Sequence, residues 1–518
     1  MSSRLVIKDA ARQLIGRLIS ALFGFLTIKI MTPYLGPLRY GDYSTILKYF
    51  AIWTALADLW LYVLAVKRLW VIKEKDPDPE QKQLKTEYGK FVGTRVIIMI
   101  AIYTLAIVVA YLLPVYTSNP YLVRGLPLGM VFSASFMFAG IQQLPLQLFW
   151  KMEQLSISLI TARLSQIVIL VPVVYLFFKH VDFTNITNTS ILAFCLILFS
   201  VVASGIGQNI EIHIRANKIL PLRIIFDRQF TKGIIKENWK YWVSYYLSSF
   251  HTLIVLLFLG WFFPTSGGND YAGIWALALS LIEILLIIPS SLGNSLLHKI
   301  GAHTEINKRK SMGSLMMMMA WIGLLVMINF AVFTTYIIKF IAGEKFLWTY
   351  ESAFHWWSDQ VLPFLWIVLF ASFIKQVYNY LFVAVEKQNF LLRINLFGVG
   401  IWTAIWIILI PKYGLAWGAL TQIIIELLFM MGAIWVAQTH KIQVLFEKTI
   451  LWKVLWIMSL WAIIGFGINH FLVLNVRTFF LVWAIFNGLI ILVSRSTLKQ
   501  IARKLTIENW EVEEIIVP

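Results

Sequence analysis

Ser190-Ile191-Leu192-Ala193-Phe194-Cys195-Leu196-Ile197-Leu198-Phe199-Ser200-Val201-Val202-Ala203-Ser204-Gly205-Ile206-Gly207-Gln208-Asn209-Ile210 carries no charged residue. A helix needs roughly 20 apolar residues to cross a bilayer core of about 30 Å. This run has that length, and it is too continuous to be the alternating strand of a barrel. About 14 segments of the chain meet the same criterion. They lie near 14–32, 43–66, 92–114, 122–149, 157–178, 190–210, 239–263, 271–296, 312–341, 361–385, 391–410, 415–438, 450–470 and 475–494. The fold class is therefore an all-α polytopic membrane protein.

Composition agrees. The 518 residues are 59% hydrophobic and 14% charged, with 22 Trp and 37 Phe, where soluble domains are about 25% charged. A soluble enzyme is excluded. The single cysteine, Cys195, permits no intrachain disulfide. The basic N-terminus, with Arg4, Lys8, Arg12 and Arg17, precedes an apolar run without a small-residue cleavage site and does not read as a cleavable signal.

The net charge is +18. It concentrates in alternate connections, such as Lys67–Lys90, Arg215–Lys236, Lys299–Lys310 and Arg495–Lys504, while the opposite set holds little beyond Arg39, Arg124, Lys179, Lys345, Lys412 and Arg477. The split is about 31 basic residues against about 6, the bias that places basic loops in the cytoplasm. Both termini are then cytoplasmic and the span count is even. Nucleic acid is not needed to explain the charge, because basic loops face anionic lipid.

An internal repeat organises the chain. Tyr40-Gly41-Asp42-Tyr43-Ser44-Thr45 opens the second span and Tyr271-Ala272-Gly273-Ile274-Trp275-Ala276 the eighth; Met152-Glu153-Gln154 enters the fifth and Val385-Glu386-Lys387-Gln388 the eleventh. Both pairs are offset by about 230 residues, the scale of a repeat rather than a local motif. The expected division is a six-helix lobe over 1–214, a basic cytoplasmic linker over 215–238, a second six-helix lobe over 239–440, two extra helices over 441–494 and a cytoplasmic tail over 495–518. Two parallel bundles facing one another are an architecture for alternating access.

Four motifs carry a resemblance. Tyr34-Leu35-Gly36-Pro37-Leu38-Arg39-Tyr40-Gly41-Asp42-Tyr43-Ser44, Tyr271–Gly293, Ile341-Ala342-Gly343-Glu344-Lys345-Phe346 and Ile410-Pro411-Lys412-Tyr413-Gly414-Leu415-Ala416-Trp417-Gly418-Ala419 resemble, in order and spacing, the Wzx-type polysaccharide flippases of the MOP (multidrug, oligosaccharidyl-lipid, polysaccharide) superfamily. The similarity spans about residues 10–440. One departure is Trp60-Leu61 after Ala57-Asp58-Leu59, where the family has Gly-Leu. The resemblance implies a MATE-like fold of two six-helix lobes plus two helices in a prokaryotic inner membrane. It implies a flippase that moves polyprenyl-pyrophosphate-linked oligosaccharide to the outer leaflet, with membrane lipids and polysaccharide polymerase or assembly proteins as partners.

Ionisable groups at bilayer depth cost about 2.5–3.5 kcal/mol or more and so mark function. Asp58, His251, Glu283, Lys375 and Glu426 fall near the midplane of their spans; Arg17 and Arg163 lie toward the cytoplasmic ends and Lys48 toward an outer end. Three- and four-residue steps put Ser280, Glu283 and Asn294 on one stripe, and Ser372, Lys375 and Asn379 on another. Arg17, Lys48, Arg163, Lys375, Asn379, Ser280 and Asn294 are the substrate-binding candidates for a cationic central cavity suited to pyrophosphate oxygens. Asp58, His251, Glu283 and Glu426 are coupling or ion-pair candidates, with a proton or sodium ion as the coupling ion. Asp58 is expected to pair with Lys48 on its own helix, and Lys375 with Glu283 or Glu426 when no cargo is bound.

No catalytic residue, cofactor or metal is expected. The chain has no Gly-x-x-x-x-Gly-Lys-Ser/Thr phosphate loop, and His298 and His303 lack zinc-site spacing. Two rivals stand beside the flippase. A MATE-type drug or cation antiporter would want an anionic cavity. A membrane glycosyltransferase or polymerase acting on lipid-linked sugars would want an acid or base in a large outer loop, where Glu344, Glu351, His355 and Asp359 show no paired-carboxylate pattern.

Overall fold

The computed structural model describes residues 3–58, 61–75, 81–149, 151–177, 179–262, 268–289, 305–347, 358–385, 389–413, 415–442, 444–445, 447–471 and 476–505. Among these the chain is helix after helix, with no strand. In lipid the backbone must satisfy its own hydrogen bonds, and a helix does so within one segment.

The order is α1 (Ser3–Asp58), α2 (Leu61–Lys75), α3 (Lys82–Leu112), α4 (Pro114–Thr117), α5 (Pro120–Gln142), α6 (Leu144–Leu148), α7 (Met152–Val171) and α8 (Asn188–Asn217). A second series follows: α9 (Arg228–Leu253), α10 (Val255–Phe262), α11 (Gly268–Leu285), α12 (Glu305–Ala342), α13 (Ser358–Ala384), α14 (Asn389–Tyr413) and α15 (Leu415–Thr439). The last two are α16 (Lys448–Phe471) and α17 (Val476–Leu505).

Among the described residues, 12 helical stretches are long and apolar enough to cross a membrane, so this is a multi-pass membrane protein. The first, Ile15–Asp58, has 44 residues, about 66 Å at 1.5 Å per residue. It is not one rod. Gly36 takes φ 67, ψ 176 between Pro33 and Pro37. That positive φ suits glycine, and Pro37 removes a helix donor, so α1 is two helical rods joined by a sharp break.

The first rod and the second rod of α1 sit at the centre of the molecule. On one side α1 packs against α5 and α7, which both pack on α8. On the other it packs along α11. The break itself touches α11: a Cβ on Gly273 would lie 1.9 Å from the Pro37 carbonyl oxygen and 3.0 Å from the Gly41 nitrogen. Only glycine permits this approach. Nearby, the Thr32 hydroxyl donates to the Ile341 carbonyl at 3.2 Å, joining α1 to the end of α12. The two series are thus closed against one another at the end holding the break.

The second series repeats the pattern of shared helices, with α13 packed on α12, α11 and α15, and α14 on α15 and α9. One apolar core runs through both series. A separate core joins α16 and α17 to α12 through Trp321, Phe333, Val454, Phe486 and Ile490. Large apolar side chains such as Leu112, Leu176 and Phe397 point outward, a surface suited to lipid rather than to water.

Between α8 and α9 the chain is extended and docked. The Ile225 N–H donates to the Gly89 carbonyl at 3.0 Å on α3. Asp227 then caps α9, accepting from the Phe230 N–H at 2.9 Å. The loop at 76–80, the stretch 348–357 with Glu351 and His355, and the tail beyond 505 lie outside the described residues.

Candidate functional site

The site is built on α1. Gly16 and Gly24 lie on the face that α7 approaches: a Cβ on Gly16 would meet Ser156, and one on Gly24 would lie 3.9 Å from the Arg163 guanidinium and 3.6 Å from Ile284 of α11. These are ordinary packing distances, and they place the Arg163 guanidinium beside α1 at Gly24, with Ile284 of α11 close by. Arg163 donates to the Gln166 amide oxygen at 3.2 Å, one turn along α7, and lies in electrostatic range of Tyr43. No carboxylate sits within ion-pair distance of it among the described residues.

Around Arg163, α1 and α11 exchange polar contacts. Lys48 pairs with Glu283, and the Tyr40 hydroxyl reaches Ser280 at 3.4 Å. Ser280 and Glu283 are three residues apart, and both contact α1. Arg17 is within electrostatic range of Tyr62 on α2 and Tyr380 on α13, which places it where the first and second series meet.

A second group lies within the later helices. Lys375 of α13 pairs with Glu426 of α15 at 2.5 Å, its ammonium 5.1 Å from the Phe429 ring. Glu426 is 5% and Lys375 15% exposed. One turn from Glu426, Gln422 accepts from the Trp402 indole at 3.2 Å. Asn379 donates to Gln376 at 3.4 Å.

The structure corrects one expectation. Asp58 pairs not with Lys48 but with Arg95 of α3, at 2.5 Å. Arg95 also donates to the Asp58 carbonyl at 3.0 Å. Asp58 and Lys48 are ten residues apart, about 15 Å along a helix axis, and cannot meet. Of the other candidates, Asn294 and the side chain of His251 lie outside the described residues.

Arg95, read from the sequence only as a charge toward the cytoplasmic end of its span, thereby gains a partner. One pair escaped the sequence reading, Arg39 with Asp42, buried beside the break in α1. Arg39 donates to Asp42 at 2.9 Å and to the Phe183 carbonyl at 3.1 Å, and lies over the Tyr121 ring at 3.8 Å. Asn119 donates to the same carboxylate at 2.8 Å. Their spacing of three on a helix was readable as a pair. The stretch Tyr34–Ser44 entered only as a family motif, and the pair within it was not singled out.

Outside the membrane-spanning segments, three carboxylates titrate low. Asp227 does so because the Phe230 N–H donates to it and Lys90 stands 3.5 Å away. Asp182 is held low by the Thr184 hydroxyl and amide, and Glu344 by the Lys339 ammonium. No group of three or more metal-ligating side chains occurs among the described residues.

The comparisons fit this geometry. Residues 6–296 match the family model described as "Polysaccharide biosynthesis protein", and 242–409 match the MatE model. Among solved structures, a lipid II flippase, MurJ, in an inward closed conformation superposes with TM-score 0.63 at 14% identity, covering 94% of this chain and 98% of that one. An outward-facing multidrug resistance MATE transporter of the MOP superfamily gives 0.55 at 14%, covering 85% and 95%. A MOP superfamily transporter from Pyrococcus furiosus, described as having a binding pocket of reverse polarity, gives 0.54 at 12%, covering 90% and 96%. No protein of curated function matches.

Proposed function

The chain belongs to the polysaccharide biosynthesis protein family and has the fold of the MOP-superfamily transporters, and from that footing we propose that it flips polyprenyl-pyrophosphate-linked oligosaccharide from the inner to the outer leaflet. The observation that carries the reading is Arg163. A guanidinium within a spanning helix, with no carboxylate in ion-pair range among the described residues, is expensive unless an anion visits it. It stands between α1, α7 and α11 with Arg17 on the same helix that Gly24 opens. Arg donates a planar fork that matches phosphate oxygens. The polyprenyl tail is as apolar as the bilayer and can stay in it, so the protein has only the headgroup to shield.

In this reading the halves α1–α8 and α9–α15 alternate their access around the Arg163 region. The Lys48–Glu283 pair spans them and must open when they part. A proton or sodium ion gradient drives the cycle, and the protein performs no bond chemistry. We further propose fourteen crossings, with α1 crossing twice and α9–α10 once, both termini cytoplasmic in a prokaryotic inner membrane, and a polymerase receiving the cargo outside. The antiporter reading has the MatE match in its favour, but an organic cation would be repelled by Arg17 and Arg163.

The test is depletion in the native host. Lipid-linked oligosaccharide should accumulate out of reach of an impermeant glycan-modifying enzyme. Arg163→Gln should fail to relieve this, while Arg163→Lys relieves it in part. Full relief by Arg163→Gln would contradict the assignment.

A further inference from the structure

We propose that the basic end of the α16–α17 hairpin holds one anionic glycerophospholipid, at a site distinct from the cargo region. A cavity of about 360 Å³ lies there between the two helices, within the range of small-ligand sites. Its walls follow helical periodicity. Lys453, Trp456 and Ile457 line it from α16, and Val493, Ser496 and Gln500 from α17.

The lining is graded. Lys453, Ser496 and Gln500 form the polar end, and none has a hydrogen-bond or ionic partner among the described residues. Trp456, Ile457 and Val493 form the apolar end, and Trp456 is 73% exposed on the outer flank. Trp452, Leu489 and Leu492 continue that exposed apolar flank. A soluble anion would leave the apolar wall wet, and a plain acyl chain would leave the ammonium unpaired. A phospholipid satisfies both ends.

Charge selects an anionic headgroup. Lys448 on α16 and Arg495 and Lys499 on α17 lie at the same end of the hairpin as Lys453, with Glu447 as the nearby carboxylate in sequence. Basic residues at a membrane surface attract anionic headgroups. Trp at this level matches the membrane interface. The proposal does not depend on the cargo or on transport.

The experiment is native mass spectrometry on the purified full-length protein with added phosphatidylglycerol or phosphatidylcholine. One phosphatidylglycerol should be retained at least tenfold more strongly than phosphatidylcholine. Lys453→Ala with Gln500→Ala should remove the preference, and Lys453→Arg should keep it, showing that the surface substitutions leave the fold intact. Millimolar inorganic phosphate should not displace the lipid. Equal retention of the two lipids, or an undiminished preference in the double variant, would overturn the proposal. Displacement by inorganic phosphate would reassign the cavity to a soluble anion.

Discussion

Lys375→Met is the perturbation whose outcome separates a structural charge pair from a cargo contact. The variant keeps the volume of the side chain and removes the ammonium that faces the Glu426 carboxylate, which is 5% exposed. Breaking a buried pair by removing one member costs about 3–5 kcal/mol. The carboxyl has one escape, which is to take up a proton. For an ordinary glutamic acid titrating near 4.3, that costs about 1.36 kcal/mol per pH unit, so about 4 kcal/mol at pH 7 and about 1 kcal/mol at pH 5. Lys375→Met should therefore be destabilised by about 4 kcal/mol at pH 7 and by about 1 kcal/mol at pH 5. Lys375→Met/Glu426→Gln should regain most of the loss at both pH values, because a neutral amide needs no counter-charge. The assay is thermal unfolding in detergent at the two pH values, followed by transport in liposomes. If the double variant recovers stability but not transport, Lys375 touches the cargo. If it recovers both, the pair is structural. A Lys375→Met protein as stable as wild type at pH 7 would refute the ion-pair reasoning.

Lys48 and Glu283 face each other with 14% and 38% exposure, so losing the pair should cost about 1 kcal/mol or less while changing transport rate; Lys48→Glu/Glu283→Lys should restore that rate, and single variants with wild-type rates would count against a pair that opens during the cycle. In a Cys195→Ala background, a cysteine at Thr184 should react with an impermeant thiol reagent from outside and one at Lys218 should not; the reverse pattern would invert the topology. Asp227 is held low by the Phe230 N–H and by Lys90, so its stabilising contribution is present above the unfolded value near 3.9 and is lost as pH falls through the depressed folded value. Pepsin cleavage of the 218–227 segment should consequently rise as pH drops from about 4 to 2 in wild type, and Asp227→Asn should flatten that rise.

Much of the fold was legible because a membrane helix declares itself by length and apolarity within one short window. The partners of its charges do not. Asp58 was paired on paper with Lys48 because both lie on one helix, and a rise of about 15 Å separates them. Its true partner, Arg95, lies on α3, and no spacing in a single sequence reveals how α1 and α3 are rotated against each other. The pairing of Lys375 with Glu426 was foreseen as one of two options. Here depth was the guide, since both charges sit near the middle of their spans. Arg39 and Asp42 were missed for the opposite reason. They fall between two expected spans, in a motif that resembles an outer loop, yet only Gly36 leaves the helical region and the helix resumes at once. Gly273 reads in the sequence only as part of a motif; its role in letting α11 touch the Pro37 carbonyl emerges from the assembled structure.

The central claim is translocation of an anionic lipid-linked glycan without nucleotide. The direct measurement uses purified protein in liposomes carrying a fluorescent polyprenyl-pyrophosphate oligosaccharide, with an impermeant quencher outside and an imposed proton or sodium gradient. Cargo should equilibrate between leaflets without ATP, and Arg163→Gln should slow it to the rate of protein-free vesicles. A strict requirement for ATP, or wild-type flipping by Arg163→Gln, would contradict the account.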